Sequence, residues 1–182
     1  MTVTLAKWTL EQYHQMIESG VLDDARVELL NGEIVEIPSE GPDHAYFNTT
    51  AANLLRKALE GRAELRDGKP ITLPEYASEP EPDVAVVEPL DIVYSKRHPY
   101  PDNIYLLVEY SYASLAKDKK LKRKIYAKAG ILEYWIVNLK DRQVIVHRDP
   151  QTDDYQSVQT LTSGTISMLA FPDVTIDIIQ LL

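Results

Sequence analysis

IYLLVEYSYASLAKDKKLKRKIYAKAGILEYWIV, residues 104–137, holds three elements in succession. Ile104–Tyr110 is an apolar run of strand length and composition, interrupted only by Glu109 near its end. From about Ser114 to Ala129 a basic segment carries Leu121, Ile125 and Ala129 at helical spacing, and Gly130 closes it. Glu133–Val137 then returns to a strand.

Outward from this block, Val144–His147 completes a pair with Glu133–Val137, and a further strand is expected near Tyr155–Leu161 before a short closing element at Val174–Leu182. On the other side, Pro80 and Pro82 lead into the strand Asp83–Val87, and a proline-rich loop fills Pro89–Asp102. Nearer the N-terminus, Thr9 caps a short helix over Thr9–Glu18. Asn31-Gly32 joins Arg26–Leu30 to Glu33–Ile37 in a tight hairpin, the strongest short-range turn signal in the chain. Ala45, Ala52, Leu55 and Leu59 mark a helix over Asp43–Leu59, ended by Gly61. A second hairpin is expected between Ala63–Arg66 and Ile71–Leu73, turning on Asp67-Gly68. The order predicts one mixed α/β or α+β domain over residues 1–182, a mixed β-sheet core flanked by helices with an N-terminal β-hairpin.

The composition narrows the function. With 182 residues and 45% hydrophobic content, the chain can fill one core. It has no cysteine, so disulfides and thiolate metal sites are excluded. Met1–Leu10 lacks the pattern of a secretion signal, and no apolar run reaches the roughly 20 residues of a membrane span. The expectation is a cytoplasmic protein that makes no use of a membrane. A net charge of −9 argues against a protein that coats nucleic acid with its whole surface. The basic residues concentrate instead at Lys117, Lys119, Lys120, Lys122, Arg123, Lys124 and Lys128, against Asp118 alone.

Two carboxylates stand out. Asp83 opens the run Val84-Ala85-Val86-Val87 and Glu109 ends the run Ile104–Val108. A carboxylate at the tip of a buried strand is costly to desolvate without a cation or hydrogen-bond donors. Two such tips side by side make an oxygen-rich pocket of the kind Mg²⁺ or Mn²⁺ accepts, whereas separately each could simply lie in solvent. Asp118, Lys122 and Tyr126 share one helix face, beside the apolar stripe. Periodicity alone favours an ordinary Asp–Lys pair on a solvated face over a lysine reaching a strand end. Glu28 alternates with Val27 and Leu29 and could face the pocket, though pattern alone favours water, and His44 sits near a helix start, where capping or packing is the common role. No phosphate-binding glycine loop and no serine-hydrolase elbow is present.

Taken together, these stretches resemble the Uma-two family of restriction endonucleases, members of the PD-(D/E)xK nuclease superfamily. The resemblance runs through Trp8–Tyr13, Val27–Val35, Gly41–Ala45, Glu81–Val87 and Arg97–Pro101. Its most specific part is Leu107–Glu109, Ser114–Asp118, Lys122, Tyr126–Gly130 and Glu133–Val137. It implies a restriction-endonuclease-like core in which Asp83 is the Asp of the PD motif, Glu109 the following acidic residue and Glu28 an upstream acidic ligand. Ser111 stands where the motif's lysine is expected, and Lys122 on the next helix is the position that matches instead. The implied function is metal-dependent hydrolysis of DNA, with Glu28, Asp83, Glu109 and Lys122 catalytic and Asp83, Glu109 and Glu28 holding Mg²⁺ or Mn²⁺. Asp118, His44 and Tyr126 are expected to position these groups or touch substrate. A catalytically inactive binding or regulatory module of the same fold, and a nuclease acting on RNA, are the other readings. A homodimer is expected from apolar residues such as Val144 and Val146 on the last hairpin.

Overall fold

A six-stranded sheet organises the chain in a computed structural model that describes residues 5–111 and 116–182, with side chains on the long basic helix described from Lys120 onward. In chain order the elements are α1 (Leu10–Glu18), β1 (Val27–Leu30), β2 (Glu33–Glu36), α2 (Pro42–Ala58), β3 (Glu64–Asp67), β4 (Val84–Val87) and β5 (Ile104–Ser111). There follow α3 (Ala116–Lys128), β6 (Glu133–Asn138), β7 (Gln143–Pro150), β8 (Tyr155–Leu161), β9 (Thr165–Met168) and β10 (Phe171–Asp177). The main sheet runs β3-β4-β5-β6-β7-β8, and β1-β2 and β9-β10 form separate two-stranded ribbons. Among the described residues, only β5 and β6 pair in parallel, and α3 lies in the crossover that such a pair requires.

The alternation of side chains along β4 and β5 divides the core in two. Val84, Val86, Leu106, Val108 and Tyr110 face α2 and the C-terminal segment. Ala85, Val87 and Leu107 face the opposite way, against Ile125, Tyr126 and Ala127 of α3 and against Leu30. Both faces of these central strands are covered, so they read as continuous apolar runs.

Local chemistry sets the ends of the elements. Thr9 Oγ1 accepts from the Gln12 N–H, and the Gln12 side chain accepts from the Thr9 N–H, a reciprocal cap that starts α1. Asn31 (φ 51°) and Gly32 (φ 76°) both adopt positive φ, the turn that matches strand twist in a two-residue hairpin. This hairpin places Glu28 opposite Val35.

Two expectations are corrected. The proposed hairpin of Ala63–Arg66 with Ile71–Leu73 does not form: β3 pairs antiparallel with β4, Glu64 opposite Val87 and Asp67 opposite Val84. The Ile71, Thr72 and Leu73 N–H groups donate instead to the Pro80, Pro99 and Ser78 carbonyls, while fully buried β4 needs a neighbour on each side. Val144 and Val146 are 0% and 2% exposed and belong to the core, so the apolar surface expected to support a dimer does not exist there. The closing element is also more elaborate than expected, since β9 and β10 precede a 3₁₀ turn (Ile178–Leu181) that buries Ile178, Leu181 and Leu182 in the same core as α2. Among the described residues, no helix is long and apolar enough to cross a membrane.

Candidate active site

Strand geometry decides where the charges meet. On β5, Leu107 and Glu109 point to the face that α3 covers, and Glu109 is the only charged residue of that strand. From α3, Lys122 and Tyr126, one helical turn apart, come down onto it; their residues are 7% and 0% exposed. Lys122 Nζ lies 3.1 Å from Glu109 Oε1 and 3.0 Å from Glu28 Oε2, and it donates to the Glu81 carbonyl at 3.3 Å. The Tyr126 hydroxyl donates to the same Glu109 oxygen at 3.1 Å. Glu28, buried on β1, also accepts the Glu81 N–H at 2.9 Å.

Burying these ions would cost several kcal/mol each if they were unpaired. Burial alone would push the Lys122 ammonium toward neutrality, but Glu109 and then Glu28 outweigh it and hold the pKa well above the ordinary lysine value. Burial, with Glu109 beside it, likewise keeps the Tyr126 hydroxyl protonated far above the usual tyrosine range. Lysine and tyrosine are therefore fixed as donors and Glu109 as their shared acceptor.

Asp83 stands just before β4, where the two faces of the sheet meet. Its Oδ2 accepts the Tyr110 N–H at 2.6 Å and lies 3.1 Å from His44 Nε2. His44 belongs to the first turn of α2, and its Nδ1 is 3.5 Å from Glu40 Oε2, whose companion Oε1 takes the Arg26 guanidinium at 3.2 Å. Glu28, Glu40, His44, Glu81, Asp83, Glu109 and Lys122 line a single cavity of about 90 Å³. Within it, burial raises the Glu81 carboxyl above the usual carboxylate range; Arg26 opposes this shift and Glu28 adds to it.

All four residues expected to be catalytic thus reach one cleft, with His44 against Asp83 and Tyr126 against Glu109. The solvated alternatives for Lys122 and Glu28 do not hold, since both are buried and paired. The side chain of Asp118 lies outside the described residues. Four charged cleft residues, Arg26, Glu36, Glu40 and Glu81, escaped the reading of the sequence. Two of them left a signal: Glu40 precedes His44 by four residues, and Glu81 sits between Pro80 and Pro82, two residues before Asp83. The donor set, carboxylates with one imidazole, suits a divalent cation. Among the described residues, the group of three such side chains with ligand atoms mutually within 4.8 Å is Glu40, His44 and Asp83.

Comparison with known proteins agrees with this architecture. Residues 10–178 match the Uma2 family model, described as "putative restriction endonuclease". A crystal structure from Anabaena variabilis, described as a "putative nuclease belonging to DUF820", superposes with a TM-score of 0.71. It covers 95% of this chain and 96% of its own at 15% sequence identity, a likeness of fold. No curated protein matches the sequence.

Proposed function

This chain belongs to the Uma2 family, and from that premise we propose that it is a metal-dependent endonuclease that hydrolyses DNA phosphodiester bonds. Asp83 and Glu109, with Glu28, are the residues we assign to holding Mg²⁺ or Mn²⁺. The observation that carries the reading is the buried lysine placed between two carboxylates in a cleft that also holds Asp83. A structural ion pair needs one carboxylate for each ammonium. Among the described residues, two buried carboxylates flank that one lysine, an arrangement in keeping with a cation site.

A divalent cation supplies Lewis acidity at the phosphoryl oxygen and makes water a competent nucleophile near neutral pH. The protein's own contribution follows from its hydrogen bonds. Lys122, fixed by Glu28, Glu109 and the Glu81 carbonyl, has an ammonium that orients water or stabilises negative charge growing on the phosphate. Tyr126 fixes Glu109, and the Tyr110 N–H and His44 fix Asp83. The lysine thus does from the helix what a lysine two residues after Glu109 would do from the strand; Ser111 occupies that place.

The test is supercoiled-plasmid cleavage with Mg²⁺ or Mn²⁺ by wild type, Asp83→Ala and Lys122→Ala, each checked for folding by circular dichroism. Loss of nicking in both folded variants is the expected result, and retained cleavage in either would sink the assignment. The second reading, a non-catalytic binding module, draws on the net charge of −9, which disfavours tight contact with a polyanion. A wild type that binds DNA or a protein partner without cutting would favour it.

A further inference from the structure

The main sheet has two edges, and they are built differently. β3, at one end, is four residues long, carries Glu64, Arg66 and Asp67, and has α2 packed beside it. β8, at the other end, is seven residues long and contains no charge, no proline and no glycine. Its register with β7 runs from Pro150 opposite Tyr155 to Val144 opposite Leu161 without a bulge. Gln156, Ser157, Val158, Gln159 and Thr160 are all exposed, so neither face of the sheet is covered along this stretch.

An edge strand offers a row of backbone N–H and C=O groups to whatever comes alongside. Water satisfies them in a monomer, but a second strand satisfies them as well and adds side-chain pairs. Short length, charge, proline, a bulge or a covering segment ordinarily prevent that meeting. β3 has the first two. Among the described residues β8 has none of them, and no backbone hydrogen bond of Gln156–Thr160 runs anywhere but to β7.

The strand that fits this edge is another copy of β8. With a net charge of −9, most of the chain's surface repels a second copy. At β8 that objection lapses. Antiparallel pairing about a two-fold axis at Val158 sets Val158 against Val158, Ser157 against Gln159, Gln156 against Thr160 and Tyr155 against Leu161, and brings no like charges together. The nearest acids, Asp153 and Asp154, already meet Lys128 at 3.3 Å and Arg123 at 2.8 Å. They would lie toward Ser163 and Thr162 of the second copy, which are neutral. Pairing β8 with β3 of another copy would match seven residues to four. Being head-to-tail, it would also go on adding copies, whereas the two-fold arrangement closes at two.

We propose that β8 is a dimerisation edge, where two copies of the chain join antiparallel and their six-stranded sheets become one continuous sheet. The joint is made by main-chain hydrogen bonds and by Val158, which is 54% exposed, and not by Val144 and Val146, which lie in the core. It does not depend on the reading of the cleft.

The test is sedimentation together with hydrogen exchange on the full chain, from about 10 µM to about 1 mM, since a joint of one strand pair sits at the small, weak end of specific interfaces. Wild type is compared with Gln156→Lys/Thr160→Lys, which sets lysine against lysine twice across the axis, and with Gln156→Glu/Thr160→Glu. Both positions are exposed, so the fold is retained, as circular dichroism checks. We expect the wild-type mass to rise from one chain toward two, with the β8 amides slowing in step. Each double variant alone should associate about tenfold more weakly, the effect of two facing like-charge pairs, and mixing the two should restore association. Wild type that stays monomeric over the whole range overturns the proposal, as does association that both double variants keep unchanged. A mass that doubles with no slowing at the β8 amides, or association lost in both variants and not restored on mixing, also overturns it, because the copies would then meet elsewhere.

Discussion

Replacing Lys122 by methionine isolates the charge at the centre of the cleft, because methionine nearly matches lysine in length and is at home in a core. In the wild type Lys122 is 7% exposed, and its ammonium meets Glu28 at 3.0 Å and Glu109 at 3.1 Å. Without it, both carboxylates stay buried, Glu28 keeping the Glu81 N–H and Glu109 keeping the Tyr126 hydroxyl. Removing one member of a buried ion pair costs about 3–5 kcal/mol. The retained donors place this case near the lower end, about 3 kcal/mol, which lowers the melting temperature of a chain this size by roughly 6–12 °C. The deficit narrows in millimolar Mn²⁺, because a cation then supplies the missing charge. The wild-type contribution of Lys122 is itself lost at high pH. The Lys122 pKa is raised, so its contribution is complete below the unfolded lysine value of about 10.4 and is lost as pH rises through the raised value. Urea denaturation of both proteins, with chelator and with Mn²⁺, measures all of this. A loss below about 1 kcal/mol, the range of solvated pairs, would refute the reasoning, as would a deficit indifferent to Mn²⁺.

Glu133 is wholly buried and accepts from Trp135 Nε1 at 2.9 Å, Arg148 Nε at 2.8 Å and the Leu169 N–H at 2.7 Å, tying the β9–β10 turn to the sheet. Glu133→Gln sets an amide N–H against those donors and should cost about 3–5 kcal/mol, with faster hydrogen exchange at Leu169; unchanged exchange there would contradict the tie. His147 is held neutral, its pKa lowered to about 4 by burial and then by Arg123. The unfolded state therefore takes up a proton first, so the stabilisation is full above about 6.5 and declines as pH falls toward the lowered value. Denaturation at pH 7 and pH 5 should show a smaller acid loss in His147→Phe than in wild type, and equal losses would remove His147 as the cause. Tyr126→Phe deletes one buried hydrogen bond to Glu109 without changing volume, for a loss of about 1–2 kcal/mol and slower cleavage at unchanged substrate affinity; a change confined to KM would mean that Tyr126 touches DNA instead.

The sequence made some of this legible and hid the rest for identifiable reasons. Asn31-Gly32 could be read because positive φ at both positions is a local requirement with few residue solutions. Asp83 and Glu109 could be read because a charge at the end of an apolar strand is costly wherever the strand lies. Lys122 is different. Helical spacing says that it shares a face with Tyr126, yet it says nothing about depth, and depth depends on Glu28 arriving from a hairpin 94 residues earlier in the chain. The false hairpin at Asp67-Gly68 has the same origin. Gly68 does turn, at φ 53°, but β3 pairs with β4 because the burial of Val84–Val87 outranks a local turn signal. Glu40 gains meaning only once α2 is docked beside Asp83.

The basic helix shows how an acidic chain can concentrate carboxylates without flying apart. On sequence alone it offers a surface for the DNA backbone. Among the described residues of the helix, three cations turn to acidic partners instead: Lys122 to Glu28 and Glu109, Arg123 to Asp154 at 2.8 Å and Lys128 to Asp153 at 3.3 Å. Lys120 and Lys124 remain exposed and can face a phosphate. Much of the helix's charge therefore serves the protein's own acids before any ligand's. This couples folding to chemistry. Lys122 offsets much of the cost of burying Glu28 and Glu109, and they in turn help to hold it where it would act. Neutralising the lysine alone leaves buried acid without a counter-charge, and neutralising one acid loosens the lysine. The site is therefore kept or lost as a unit, and a chain that abandoned its chemistry would have to replace these charges together to keep its stability.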